Sequence, residues 1–170
     1  GGAVAMNASA FGGFMAEIVD TVEVITYDGQ QVRLGRDDLE AGTKTTRILL
    51  EPLILVEVDF ALKQDDPERV RKRMEKYFRE RAHRQPLNLP SAGCAFKNPT
   101  GKGAGRFIDA AELKGVRIGG AEVSRLHANF IVNNGGATAE DVISLMKHVQ
   151  EVVYSKFQVM LEPEVRILGG

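Results

Sequence analysis

The sequence has one cysteine, Cys94, no tryptophan, and no apolar run of the length that spans a bilayer. Each absence removes a class of protein. A single cysteine forms no internal disulfide, so a disulfide-stapled secreted domain is excluded and, with no signal peptide apparent, a reducing cytoplasm is the expected compartment. The three histidines, His83, His127 and His148, lie in unrelated contexts, and with one thiol they make no metal-ligand spacing. An excess of one charge is also missing. With 22 basic and 23 acidic residues the net charge is −1, which argues against a nonspecific binder of nucleic acid or anionic membrane and favours small-molecule partners. The chain opens Gly1-Gly2-Ala3 without an initiator Met, and this start is expected to follow a missing upstream part.

What is present is ordinary for a globular chain. An apolar fraction of 44% and a charged fraction of 26% indicate neither disorder nor a fibre. A compact chain of this length, as one domain or two small ones, buries roughly 70% of its unfolded surface. Gly1 to Gly13 is rich in Gly and Ala, and reads either as a packed turn or as backbone that lets a flat or phosphorylated ligand approach. A short helix is expected from Phe14 to Val19. Asp28-Gly29 between the runs Thr21 to Tyr27 and Gln30 to Leu34 predicts a hairpin with a two-residue loop. One helical turn is expected over Asp37 to Ala41. Gly42-Thr43-Lys44-Thr45-Thr46 has the ending of a phosphate-binding P-loop, but Asp37 stands where that motif needs glycine, so a P-loop is rejected.

Alternation from Ile54 to Leu62 predicts a half-buried strand with Ile54, Val56, Val58, Phe60 and Leu62 on its buried side. Pro67 opens a helix in which Val70, Met74, Tyr77 and Phe78 keep helical spacing, and the basic run Arg71 to Arg84 reads as its solvated face. Further on, a helix is expected from Phe107 to Leu113 and strands over Val116 to Ser124 and Ala128 to Asn133. Thr138 caps a long helix that buries Val142, Leu145, Met146, Val149, Val152, Val153 and Phe157. Val159 to Leu168 reads as a last strand, edge or broken at Pro163.

Chemistry concentrates in Pro90 to Pro99. Two prolines bracket the run and exclude a helix interior, so it reads as loop, strand, loop. Gly93 lets a ligand or another backbone approach Cys94, and Lys97 and Asn98 offer donors to phosphate or carbonyl oxygens. Cys94 itself reads either as an inert core thiol or as a reactive one. The loop Thr100-Gly101-Lys102-Gly103-Ala104-Gly105-Arg106 feeds a helix start, an arrangement suited to an anion. Glu162 and Glu164, two apart, share one face of a strand, either at a site or on a solvated edge.

Four segments in order, Gly1 to Gly12, Pro90 to Pro99, Gly115 to Ser124 with His127 to Asn133, and Leu161 to Ile167, resemble UDP-N-acetylenolpyruvoylglucosamine reductase. That family comprises the flavoenzymes of peptidoglycan precursor synthesis. The resemblance covers essentially the whole chain and looks like the shorter, type II branch. It implies an α+β chain that is the C-terminal part of an FAD-binding α/β domain, residues 1–82, followed by a smaller α/β substrate-binding domain, residues 83–157, with residues 158–170 returning to the active site. It also implies NADPH as hydride donor, FAD as cofactor and UDP-N-acetylglucosamine enolpyruvate as substrate, reduced to UDP-N-acetylmuramate. An upstream FAD-binding segment is then a required partner, and a noncatalytic nucleotide-sugar-binding module is the alternative.

By the same resemblance Cys94 stands where the family has a proton-donating serine. A thiol, with a reference pKa of ~8.5, is mostly protonated at neutral pH and is a far stronger acid than an alkyl hydroxyl. Glu164 matches a glutamate that assists as a protonated acid, and Lys44 falls where the family has an arginine, keeping the charge without the planar fork. Asn7, Ala10, Phe11 and Gly12 are implied to contact the flavin. Lys97, Asn98, Gly103 and Arg106 are implied to lie along the UDP-sugar.

Overall fold

The computed structural model describes residues 1–99 and 102–168. Thr100 and Gly101 of the glycine-rich loop, and the last two residues of the expected C-terminal segment, lie outside them. The fold mixes helices with antiparallel sheet and divides into two compact units, Gly1–Arg73 and Met74–Gly170. Among the described residues no helix is long and apolar enough to cross a membrane.

The first unit begins with a single helical turn, α1 (Gly2–Ala5), and the short strands β1 (Ser9–Ala10) and β2 (Gly13–Phe14). The expected helix from Phe14 to Val19 is only a 3₁₀ turn, Met15–Glu17, because β3 (Val19–Thr26) starts directly after it. β3 pairs with β4 (Gln31–Gly35), and the helical turn expected after β4 is a 3₁₀ turn over Asp37–Leu39. The hairpin forms, but its loop has three residues. Gly29 N–H donates to Thr26 O and Thr26 N–H to Gln30 O, so Tyr27 and Asp28 make the turn and Gly29, at φ 84°, supplies the left-handed residue that closes it. A second short helix, α2 (Arg47–Leu50), leads into β5 (Leu53–Phe60), which pairs with the other edge of β3.

The predicted inward face of β5 is wrong over most of its length. Glu23 pairs with Glu57 but Val24 with Leu55, so Val56 is an extra residue and the side-chain alternation slips there. Leu53, Leu55 and Val58 pack on the core of Val19, Val22, Val24 and Leu39, and Ile54, Val56, Phe60 and Leu62 are exposed. α3 (Pro67–Arg84) then opens at the predicted proline, with Asp66 Oδ1 accepting Arg69 N–H at 3.0 Å. Its charged residues form exposed pairs one turn apart, Arg71–Glu68 and Arg79–Glu75, as a solvated face does. Its apolar stripe is not buried: Val70 and Tyr77 are half-covered, Met74 and Phe78 exposed.

The second unit is a four-stranded sheet in the order β6 (Ser91–Cys94), β9 (Phe130–Asn133), β8 (Ala121–Val123), β7 (Arg117–Ile118). The single strand expected over Val116 to Ser124 is a hairpin, turned at Gly119-Gly120 between β7 and β8. α4 (Ala104–Ala110) begins before the predicted Phe107. α5 (Ala139–Phe157) carries the predicted Thr138 cap: Thr138 Oγ1 accepts Asp141 N–H and Asp141 Oδ2 accepts Thr138 N–H. Its predicted face is the one buried, with Leu145, Met146, Val149 and Val153 in the core beside Ile108, Val123 and Leu161. The C-terminal segment is no strand. It meets the chain after β6 at a single bridge, Pro163 to Phe96, where the proline needs no N–H because the bonds are made by the residues on either side.

Gly120 sits where a side chain has no room. A Cβ there would overlap Ala137 N and lie 2.5 Å from Gly135 O and 2.7 Å from Ala137 Cα. Gly120→Ala is therefore expected to destabilise the fold by about 1–3 kcal/mol through overpacking. Urea denaturation measures this as a lower midpoint at an unchanged slope.

Candidate functional site

In the second unit the site residues are built around one irregular strand. Ser91 pairs with Val132 and Cys94 with Phe130, so three steps along β6 oppose two along β9 and β6 carries an extra residue. Gly93, at φ 85°, absorbs the bend in a conformation that a side chain would strain. Cys94, next along, is half-buried. Bulges of this kind re-aim the side chain that follows them.

The far side of the stretch is tied to the C-terminal segment. Glu164 N–H donates to Ala95 O at 2.8 Å and Lys97 N–H to Glu162 O at 2.8 Å, flanking the Phe96–Pro163 bridge. This brings Glu164 beside the residue that follows Cys94. Phe96 and Leu161, both fully buried, anchor the two segments in the core. Lys97 Nζ lies 3.2 Å from Glu162 Oε2, an exposed ion pair of small energetic weight.

Asn129 fixes this arrangement, and residue type gave no sign of it. Its side chain is buried, with Nδ2 donating to Phe96 O at 2.8 Å and Oδ1 accepting Phe96 N–H at 3.1 Å. Its carbonyl accepts Ala95 N–H at 2.8 Å. The backbone on both sides of Ala95 is thus held from one residue. His127 supports it in turn, because Nδ1 accepts Asn129 N–H at 3.2 Å while the ring packs edge-on against Phe130 at 4.8 Å. Burial lowers the His127 pKa below its ordinary 6.5, and the Lys114 charge adds to the shift. The only signal in the sequence was the run His127-Ala128-Asn129-Phe130, read by position and not by role.

Asn98 and Gly103 meet at the start of α4. Asn98 Oδ1 accepts Ala104 N–H at 3.0 Å, and Gly103 is the residue before the helix. The Asn98 carbonyl is therefore engaged in holding the helix end. Arg106 is exposed on the first turn.

In the first unit Asn7 is buried and works between loops. Nδ2 donates to Gly42 O at 2.9 Å and Oδ1 accepts Ala16 N–H at 3.0 Å, while Thr46 Oγ1 donates to Ala5 O at 2.7 Å. These bonds latch the N-terminal segment to the turn bearing Lys44, which sits at φ 59° and is half-buried. Ala10 pairs with Gly13, so Phe11 and Gly12 form a two-residue loop at φ 51° and 85°. A left-handed phenylalanine is uncommon, at roughly 1–2 kcal/mol of strain, and strain of this kind gathers at functional sites. Phe11 and Phe14 are both exposed at this hairpin. No cluster of three or more metal-ligating side chains occurs among the described residues.

Residues 85–168 match the family described as UDP-N-acetylenolpyruvoylglucosamine reductase, C-terminal domain. The reductase of that name from Exiguobacterium sibiricum is 44% identical over 99% of this chain, and the one from Lactiplantibacillus plantarum 46% over 99%. The crystal structure of the Thermus caldophilus UDP-N-acetylenolpyruvylglucosamine reductase superposes with a TM-score of 0.85 at 42% identity, covering 98% of this chain. The chain belongs to this reductase family. It spans 56% of the length of those two relatives and 59% of the solved chain.

Asn129→Ala leaves buried Phe96 N–H and C=O groups without partners, and a loss of about 2–4 kcal/mol in stability is expected from two such groups. Chemical denaturation measures it. For His127 the folded pKa lies below the unfolded one, so its contribution to stability is present above pH 6.5 and is lost as pH falls through the lower folded value. An NMR titration is expected to show the His127 ring titrating below 6.5 with Nδ1 as the unprotonated nitrogen.

Proposed function

We propose that this chain forms part of an NADPH-dependent, FAD-mediated reductase acting on UDP-N-acetylglucosamine enolpyruvate to give UDP-N-acetylmuramate. The reading is carried by one observation beside the family membership. The strand bearing Cys94 is bulged, clamped by Asn129, and hydrogen-bonded next to Glu164.

On this reading residues 1–82 complete a FAD-binding domain, 83–157 form the substrate domain, and 158–170 return to the reacting centre. Burial of Leu161 and its neighbours' ladder to Ala95 and Lys97 support the last of these. The exposed Phe11 and Phe14 on a strained hairpin suit one face of a flat ring system, with Ala10 and Gly12 in the same turn. Asn7, with both ends of its amide engaged, supports that turn from behind. When bound, the flavin supplies hydride taken from NADPH. An upstream segment of the whole protein is assigned the rest of that cofactor.

Cys94 is the proton donor to the substrate carbon next to the one that receives hydride. A thiol performs this only while protonated, and a neighbouring cation would favour the thiolate instead. Lys97 is paired with Glu162, which offsets its charge. Glu164 assists on the same ladder, and Lys44 supplies positive charge toward the substrate carboxylate or the flavin. Lys97, Arg106 and the start of α4 at Gly103 address the UDP-sugar, with Asn98 shaping that helix start. A working thiol fits the reducing cytoplasm.

The test is substrate-dependent NADPH oxidation by the full-length protein. Cys94→Ser is expected to keep appreciable turnover, and Cys94→Ala to slow the substrate-reducing step by about 10²–10⁴-fold, the usual reach of general acid catalysis. Equal stopped-flow rates for Cys94→Ala and the parent would remove Cys94 from this role. Binding of the UDP-sugar with no turnover would instead favour a noncatalytic nucleotide-sugar-binding module.

A further inference from the structure

A second feature of β6 lies outside the reaction. Beside the bulge opens a cavity of about 360 Å³, walled by Ala92, Ala95, Ile131, Val142, Met146 and Val165. Its lining also includes Pro90, Gly93 and the polar side chains of Ser91 and Asn133, but not Cys94. The irregular part of β6 borders the space: Ser91, Ala92 and Gly93 line it together with Val142 and Met146 of α5 and Val165 of the C-terminal segment.

The two polar groups set the chemistry. Asn133 Oδ1 is occupied, accepting Gly135 N–H at 2.9 Å and Ala137 N–H at 3.1 Å, and Ser91 Oγ accepts Gly93 N–H at 3.4 Å. Neither the Asn133 Nδ2 protons nor the Ser91 hydroxyl proton has an acceptor among the described residues. Both polar groups therefore offer donors to a ligand, and the remaining wall is apolar. At the small end of the range of roughly 300–1,000 Å³ for ligand pockets, the space suits a single ring and excludes a helix.

We infer that this cavity binds a small, largely apolar molecule carrying one acceptor oxygen, such as an aromatic ketone. The apolar body takes the α5 side and the oxygen meets Ser91 and Asn133. This site is separate from the reacting groups proposed above and stands or falls independently of them.

The experiment is methyl-detected NMR on the full-length protein titrated with acetophenone, and with indole as a ring of similar size that offers only a donor. Saturable shifts confined to the methyls of Ala92, Ala95, Ile131, Val142, Met146 and Val165, with indole binding at least several-fold more weakly, are expected. Val142→Phe, which fills the space from the half-exposed side of α5, and Ala92→Leu, which fills it from the strand, should each abolish them. Absence of saturable shifts, equal binding of the two probes, or shifts that persist in both filled variants would overturn the assignment. So would concentration-dependent shifts of the same methyls without probe, which would mean that a second copy of the protein occupies the cavity.

Discussion

The second unit depends on the grip of Asn129 on the Phe96 backbone. An amide side chain matches a peptide group donor for acceptor, so one buried residue satisfies both an N–H and a C=O that the bulged strand leaves off its ladder. In a low-dielectric interior such bonds are strong when complete and costly when half-made. That asymmetry holds Ala95 and Phe96 in one position, and through the chain it fixes the half-buried Cys94 just before them. His127 adds a further layer: its Nδ1 takes the Asn129 N–H only while unprotonated, a state that burial of the ring favours.

The first unit uses the same device. Asn7 joins two loops by its amide, one through a carbonyl and one through an N–H, and Thr46 closes a third connection to Ala5. A segment of Gly and Ala has too little side chain to pack itself. Its shape is therefore set by polar latches, and the strained Phe11 turn is held on the frame they make.

A second buried polar centre stabilises the opposite end of the sheet. Glu122, on β8, is buried and meets Arg117, Arg125 and Asn134. Burial alone would raise its pKa, but the Arg117 and Asn134 hydrogen bonds and the two arginine charges outweigh it and lower the pKa below the ordinary 4.5. Removing either kind of partner would leave the carboxylate buried against its preference, which is why such groups come as a set. Nothing in the alternation of β8 marks Glu122 as buried, since a polar residue between Ala121 and Val123 reads as the solvent face.

What the sequence determined by itself was local and compositional. The Thr138 cap and the apolar spacing of α5, the Pro67 start of α3, the exclusion of helix between Pro90 and Pro99, and the motifs that resemble the reductase family are all properties of neighbours along the chain. Tertiary structure decided the rest. The extra residue at Val56 reversed the face of β5 because register belongs to a pair of strands and not to one. The expected last strand came down to one bridge between Pro163 and Phe96, and Gly119-Gly120 folded one expected strand into two, the second of these glycines packed against Ala137 and Gly135. Asn129 gained its role only when the turn after β8 carried it to the backbone of Phe96, 33 residues away, a contact that no spacing in the sequence encodes.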